Sequence, residues 1–542
     1  MLGRVFAALA AFCLLSRGLA TKKNVLFIAI DDLRPELGSY GSLQAKSPHI
    51  DALANKSMLF ERAYCQVAVC SPSRTSFLTG RRPDTNRVWA NVPSEYWRRF
   101  TNATTIPQYF KENDYISIGM GKVFHPGSAS GEDDKEYSWS PEGLPYYHSP
   151  LHKDFGPPNK TSLWWAFDGF EDNQLPDGQI ADRATETLQK LKANRTKGDN
   201  RPFFLAVGFH KPHVPLYAPK KYFDMYPPAS EIILPSNPHP PKFMPMIAWS
   251  TWKFWRDYKN TKAYFEGKNC TTNFTSSVSK ECAFPDNVAQ EIRRSYYASL
   301  TFTDYQVGKV LEELKRQGFA EDTVIVLLGD HGWQLGEHGE WAKYTNFEDA
   351  TRVPLILHVP GVTDKGMRTK ALVELVDVFP SLADVAGIPV PPLCPEGENN
   401  LLACVEGSSV APLLKNSSRP WKSAAFSQYP RPGPMNGLPQ VPRHSPFDHK
   451  LGVEQVMGYS VRSDQYRFTE WLSFNATEAK GNWTGGAWGV ELYDHTKQTK
   501  NFDDENEDMY FNTGNKSIIE EHEALLRAGW RAAQPPSDSS DD

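Results

Sequence analysis

The chain has 542 residues, of which 23 % are charged and 12 % aromatic. That excludes a disordered or low-complexity protein and leaves enough chain for two or more cores. The formal net charge of −5 excludes a general coat for nucleic acid or other polyanions, so an anionic substrate must be held at a local basic site.

Residues 1–20 are laid out as a signal peptide, with Arg4, apolar Val5–Leu15 and small residues in Gly18-Leu19-Ala20. The apolar run is too short to cross a bilayer, and no later stretch is long and apolar enough, so the expectation is the secretory route with no membrane span. Asn102, Asn159, Asn194, Asn273, Asn475 and Asn515 each open an Asn-x-Ser/Thr sequon. Cys13 leaves with the leader. In an oxidising compartment, Cys270–Cys282 and Cys394–Cys404 are the expected short-range disulfides, with Cys65 left over.

Asn24–Ile30 is a continuous apolar run ending in Asp31-Asp32, a pattern that predicts a buried central strand with two carboxylates at its tip. Pro48–Ser57 reads as a helix and the stretch into Tyr64 as a strand. Cys70-Ser-Pro-Ser-Arg74 opens another helix. Pro72 suits its first turn, and Arg74, four residues on, shares the face of Cys70. Helix N-terminus and guanidinium together favour negative charge beside residue 70, although the residues alone also allow a disulfide partner or a buried thiol. Thr105–Asn113 is helical, and the strand Tyr115–Gly121 runs into Lys122 and His125. Residues 128–178 form a surface insertion, and Gln179–Asn194 is a helix. Strand Phe203–Phe209 ends in His210-Lys-Pro-His213; residues 218–285 are irregular.

The amphipathic helix Pro285–Gln317 precedes strand Thr323–Gly329, which ends in Asp330-His331. With Val353–Val359 and the helical Val373–Ala386, this alternation predicts an α/β fold: a large, mostly parallel sheet sandwiched by helices. The expected division is a catalytic domain over 21–428, an exposed loop over 429–450, a smaller C-terminal α+β subdomain with an antiparallel sheet over 451–535, and an acidic tail over 536–542. Four strand ends thus bring Asp31-Asp32, Lys122 with His125, His210 with His213, and Asp330-His331 to one edge of the sheet, where ligands of open α/β sheets bind. Three aspartates make a hard oxygen site suited to Ca²⁺.

Two long stretches, Cys70-Ser-Pro-Ser-Arg-Thr-Ser-Phe-Leu-Thr-Gly80 and the segment from Asp330-His-Gly through Lys343 to Leu355, resemble the signatures of the type I sulfatases of the alkaline-phosphatase superfamily. The resemblance implies that a formylglycine-generating enzyme oxidises Cys70 to formylglycine in the endoplasmic reticulum. It further implies that one Ca²⁺ is bound by Asp31, Asp32, Asp330 and residue 70. His331 would complete the set where many members carry Asp or Asn. In the implied division of roles, Arg74 and Lys122 position residue 70, and His125 is the base that releases sulfate. Lys122, His213 and Lys343 grip the sulfate, and His213 or Lys343 protonates the leaving oxygen.

Asp31 to Gly41, Gly80 to Thr85, Gly121 to Gly127, Phe203 to His213, Ser427-Gln-Tyr-Pro-Arg-Pro432 and Met457-Gly-Tyr-Ser-Val-Arg462 narrow the likeness to the branch that removes 2-O-sulfate from L-iduronate in dermatan and heparan sulfate in the lysosome. A sulfated glycosaminoglycan is then the expected substrate. Trp333 and Tyr344 are candidates to pack on the sugar, or equally core residues. Arg81-Arg82 is a candidate partner for the uronate carboxylate. Acidic pH is expected to find the histidines largely protonated. The alternatives are a sulfatase for another sulfated carbohydrate, a phosphatase or phosphodiesterase of the same superfamily, and an inactive binding protein on the same fold.

Overall fold

The computed structural model describes residues 22–91, 95–141, 144–151, 163–167, 171–250, 258–264, 266, 283–397, 401–432, 455–497 and 504–536. The expected leader, the Asn159 and Asn273 sequons, the Cys270–Cys282 pair, most of the 429–450 loop and nearly all of the acidic tail lie outside these residues.

A seven-stranded sheet organises the chain. Its strands are β1 (Asn24–Ile30), β2 (Met58–Tyr64), β3 (Ile116–Gly121), β4 (Phe203–Phe209), β5 (Thr323–Gly329), β6 (Arg352–His358) and β7 (Met367–Glu374), in the spatial order β7-β2-β6-β5-β1-β4-β3. All neighbouring pairs are parallel except those of β6, which runs antiparallel to both β5 and β2. The apolar run of β1 is explained by burial on both faces. Leu26, Ile28 and Ile30 join one core with helices α1 (Pro48–Ala54), α4 (Pro176–Thr196) and α5 (Asp286–Arg316). Val25, Phe27 and Ala29 join the opposite core with α2 (Cys70–Thr79), α3 (Ile106–Glu112) and α6 (Val378–Ala386).

A second, antiparallel sheet is built from β8 (Ala425–Pro432), β9 (Gln455–Arg462), β10 (Tyr466–Asn475) and β11 (Gly489–Asp494), with α7 (Lys516–Ala532) packed on it through Leu526. The boundary expected at 428 falls inside β8, which pairs with β9 from Ala425 to Pro432. Cys394 and Cys404 form a disulfide, while Cys65 is free and buried. No helix among the described residues is long and apolar enough to cross a membrane.

Candidate active site

The C-terminal ends of β1, β3, β4 and β5 bring the predicted residues to one place. Two glycines allow the tightest of these turns. Gly121 sits at φ +69°, and a Cβ on it would strike the carbonyl of Gly208, just as one on Gly208 would strike the backbone of Lys122. With both side chains absent, the Lys122 amide donates to the Gly208 carbonyl at 2.8 Å and the lysine turns over the end of β4.

Cys70 is the first residue of α2 and is buried. Its Sγ lies 2.9 Å from Lys343 Nζ, 3.6 Å from Lys122 Nζ and 3.5 Å from His331 Nε2. One turn along the helix, Arg74 donates from Nε to Asp330 Oδ2 at 2.9 Å and from Nη2 to Asp31 Oδ1 at 3.2 Å. Its Nη1 donates to the carbonyls of Lys122 and Val123. The guanidinium therefore ties α2 to three strand ends. Lys122 pairs with Asp31, and Lys343 Nζ lies 2.6 Å from Asp32 Oδ1.

Burial and these pairs set the charges. Burial works against Asp31, yet Lys122, His213 and Arg74 hold it well below the usual carboxylate range. Burial lifts Asp32 to about 7 against the pull of Lys343, with Asp31 adding repulsion. The Cys70 thiol is pushed up, by burial first and then by Asp31, in spite of Lys122 and Lys343. Desolvation thus opposes a thiolate at residue 70, and the cations that face it are Lys122 and Lys343, since Arg74 is engaged by two aspartates. The expectation of protonated histidines is not met. Burial and Lys122 press His125 down to about 3 and His213 well below its ordinary value. His213 Nδ1 faces its neighbour's carbonyl at 2.6 Å and His331 Nδ1 faces the Gly332 carbonyl at 2.9 Å, which assigns the proton to Nδ1 and leaves each Nε2 as acceptor.

Ligand atoms of Asp31, Asp32, Cys70 and His331 all lie within 4.8 Å of one another. Asp32 Oδ2 is buried and makes no hydrogen bond, the mark of a carboxylate oxygen placed for a cation. Asp330 stands beside this set. Its Oδ2 is 3.6 Å from His331 Nε2, and its Oδ1 accepts from the amides of Asp32 and His331 at 3.0 and 3.1 Å. Carboxylate oxygens dominate the donors, so the residues fit a hard divalent ion.

Trp333 is buried, stacks on Tyr296 and lies beneath Lys343 Nζ at 5.6 Å. Its ring supports the lysine and offers no face to a sugar. Tyr344 is half-buried beside Tyr429. Arg81 and Arg82 are not at the site. Arg81 donates to the carbonyls of Cys404 and Leu401, and Arg82 makes a two-pronged pair with Glu374 at 2.7 Å, because a buried guanidinium must satisfy its donors locally. Sequence reasoning missed Asn91, whose Oδ1 accepts from the Ser71 amide at 2.7 Å, and Lys211, whose Nζ donates to the His213 carbonyl at 3.0 Å. It also missed Arg431, whose Nη2 donates to the Tyr344 carbonyl at 2.7 Å. Lys211 and Arg431 lie inside stretches that resemble the family and were open to notice; Asn91 carries no local signal.

A family model described as Sulfatase matches residues 23–388. The chain belongs to the sulfatase family, and it is a sulfuric ester hydrolase. A second model, described as N-sulphoglucosamine sulphohydrolase, C-terminal, matches residues 336–444. This sulfatase is 40 % identical over 519 residues to an iduronate 2-sulfatase of Mus musculus, covering 87 % of this chain and 88 % of the relative. It is also 40 % identical over 518 residues to that of Homo sapiens, with coverage of 87 % and 88 %. A phosphonate monoester hydrolase from Silicibacter pomeroyi superposes with a TM-score of 0.66 over 96 % of this chain and 97 % of its own, at 20 % identity, a likeness of fold.

Proposed function

We propose that this sulfatase hydrolyses the 2-O-sulfate of L-iduronate at the end of a heparan or dermatan sulfate chain, in the lysosome, with formylglycine at position 70 and one Ca²⁺. The observation that carries the chemistry is the setting of Cys70: first in its helix, buried, and within 3.6 Å of Lys343, Lys122 and His331. The match to iduronate 2-sulfatases along 87 % of the chain supports the substrate.

Formylglycine, made by the modifying enzyme of the secretory route, supplies a hydrated aldehyde with two hydroxyls in place of the thiol, and the cation supplies positive charge for sulfate oxygens. Asp31, Asp32, Asp330 and His331 would hold that cation with residue 70. Lys343 remains an ammonium: burial opposes it, but Asp32 and Cys70 hold it well above its ordinary value. Lys122 likewise keeps its proton through Asp31. Both grip sulfate oxygens without giving the proton up. His213 presents Nε2 as an acceptor. An arriving sulfate brings negative charge that raises its proton affinity, so it becomes the acid for the leaving sugar oxygen only when substrate is bound. His125, with Nδ1 3.1 Å from the Pro126 carbonyl, is the base for residue 70 that the family resemblance implies; burial and Lys122 weaken it as a base until negative charge arrives with the substrate. Arg74 holds residue 70 and both aspartates in register.

The test is mass spectrometry of the peptide containing residue 70, together with turnover of matched 2-sulfated iduronate, 6-sulfated glucosamine, 4-sulfated galactosamine and phosphate esters. The aldehyde mass and a preference for 2-sulfated iduronate are expected. Full activity with an unmodified thiol overturns the mechanism, and a preferred sulfated hexosamine overturns the substrate.

A further inference from the structure

The β7 edge of the large sheet carries cations that the site at Cys70 does not use. Arg62 on β2, Arg352 at the start of β6, and Arg368 and Lys370 on β7 line a cavity of about 470 Å³ that reaches the Gly38–Gly41 turn on one side and Arg462 of the second sheet on the other. A neighbouring cavity of about 540 Å³ shares Arg62, Arg368 and Lys370 with it and continues to Arg419. The two form one trough across three strands.

Part of this charge is already spent, and Asp504 also lines the first cavity. Arg462 is 3.1 Å from Glu348, and Arg62 is 2.6 Å from Asp464. Arg368 stands 3.8 Å from Glu61, with side chains 53 % and 30 % exposed, a solvent-screened contact. Lys370 is exposed, and neither it nor Arg352 has a carboxylate within pairing distance among the described residues. Arg352 uses only Nε, on the Glu61 carbonyl at 2.9 Å. Lysine and arginine on an edge strand discourage unwanted strand pairing, which accounts for β7. It does not account for Arg62 and Arg352, which sit on interior strands of the sheet, or for a trough in which they converge. On a chain with net charge −5, a groove with this surplus is a local well for anions.

We propose that this trough is a second binding site for a sulfated polysaccharide, holding sulfate and carboxylate groups of the chain away from the residue being hydrolysed. The inference rests on the reading of the substrate as a sulfated glycosaminoglycan. A small sulfated glycoside reaches only the site at residue 70; a long chain engages both sites, and the second contact lowers its KM and not that of the small molecule.

The experiment compares the full-length enzyme with the double variant Arg368→Glu, Lys370→Glu and with Lys370→Ala, all checked for unchanged thermal unfolding. With long heparan sulfate at low salt, the double variant is expected to raise KM about 10-fold and Lys370→Ala about 2- to 3-fold, with the difference shrinking as salt screens it. Turnover of a 2-sulfated iduronate monosaccharide glycoside stays unchanged in both. Direct binding to immobilised heparan sulfate, with the chemically desulfated chain as control, should weaken in parallel. Equal KM for the long chain in all three proteins, or a loss shared by the small glycoside, overturns the proposal. If the small glycoside is not hydrolysed at all, the substrate reading falls, while the binding comparison still decides the trough. Should the double variant fail to fold, Lys370→Ala and the salt dependence of wild-type binding carry the test, and salt-independent binding counts against it.

Discussion

Arg431→Met isolates a link between the second sheet and the catalytic edge of the first. Arg431 is buried and has no carboxylate within pairing distance among the described residues. It donates to the carbonyls of Tyr344 at 2.7 Å, Ile247 at 3.1 Å, Ala248 at 3.3 Å and Trp249 at 3.4 Å, and its guanidinium lies 4.4 Å above the Tyr429 ring. The short bond matters most, because Ala342 and Tyr344, on either side of Lys343, both adopt left-handed backbone at φ +76° and +83°. Each such residue costs about 1–3 kcal/mol and persists only where its surroundings hold it. A charged hydrogen bond contributes about 1.5–3 kcal/mol and the three longer ones less, so a methionine of similar length should lose roughly 3–5 kcal/mol. In a chain of this length that lowers Tm by on the order of 3–4 °C. If Lys343 Nζ then drifts by about 1 Å from residue 70, kcat falls about 100-fold with a smaller change in KM. Calorimetry gives the first quantity, and steady-state kinetics at a temperature where both proteins are folded gives the second. Arg431→Lys keeps the charge and one or two of the carbonyl bonds and should fall between. A variant that loses stability but keeps kcat within about threefold would show that Arg431 braces the fold without placing Lys343.

Three further outcomes are expected. Cys70→Ser should fold with Tm close to wild type and lose steady-state turnover by about 1000-fold or more, seen as a single burst of released sugar, since a serine hydroxyl has no second hydroxyl to expel sulfate. Asp32→Asn removes the carboxylate that carries the unbonded buried oxygen; metal analysis should find one divalent ion per wild-type chain and well under one in the variant. Stability should be greatest near pH 4. Burial raises Asp304 to about 7, Glu491 to about 8 and Asp508 to about 6, so the native state holds protons that the unfolded chain releases, and stability falls as pH rises from about 4 towards 8. Burial resists the opposite group, but Arg82 holds Glu374 and Arg467 holds Glu505 at about 2, which contributes stability above about pH 4.5 that is lost as pH falls towards 2. Thermal unfolding across pH checks this, and Asp304→Asn should flatten the alkaline side; an unchanged slope would remove Asp304 from the account.

Much of this site was legible because its residues sit at the ends of runs whose periodicity is plain. Val25–Ile30 can only be a strand buried on both faces, and Asp31-Asp32 must then emerge at its tip. The same holds for Thr323–Gly329 and Asp330-His331. The antiparallel course of β6 was not legible, since strand direction depends on partners far apart in sequence. Protonation was misread for a related reason. His125 and His213 have ordinary neighbours in sequence, and only the fold buries them beside Lys122. Arg81-Arg82 looked like an anion site because two adjacent charges usually face solvent, yet in the structure they join Glu374 and the 401–404 loop.

The C-terminal motifs make the dependence on tertiary structure clearest. Ser427-Gln-Tyr-Pro-Arg-Pro432 and Met457-Gly-Tyr-Ser-Val-Arg462 resemble the family as closely as the strand ends do, yet contain no catalytic candidate. In the structure their polar groups reach segments that flank the first sheet. Ser427 Oγ donates to the Cys65 carbonyl at 2.6 Å, and the Gln428 amide donates to the Gln66 carbonyl at 2.8 Å. Gln428 Nε2 and the Tyr459 hydroxyl donate to the two oxygens of Asp84 at 2.6 and 2.8 Å. Arg462 meets Glu348. These contacts brace the segments on either side of α2 and the one just after Lys343, the pieces of chain whose relative position sets the 2.9 Å approach of Lys343 Nζ to residue 70. Lys343, on the approach to β6, and residue 70, first in α2, have no direct strand pairing to fix them. The second sheet supplies that fixed frame, which is a physical reason for its polar face to be as specified as the residues proposed to do the chemistry.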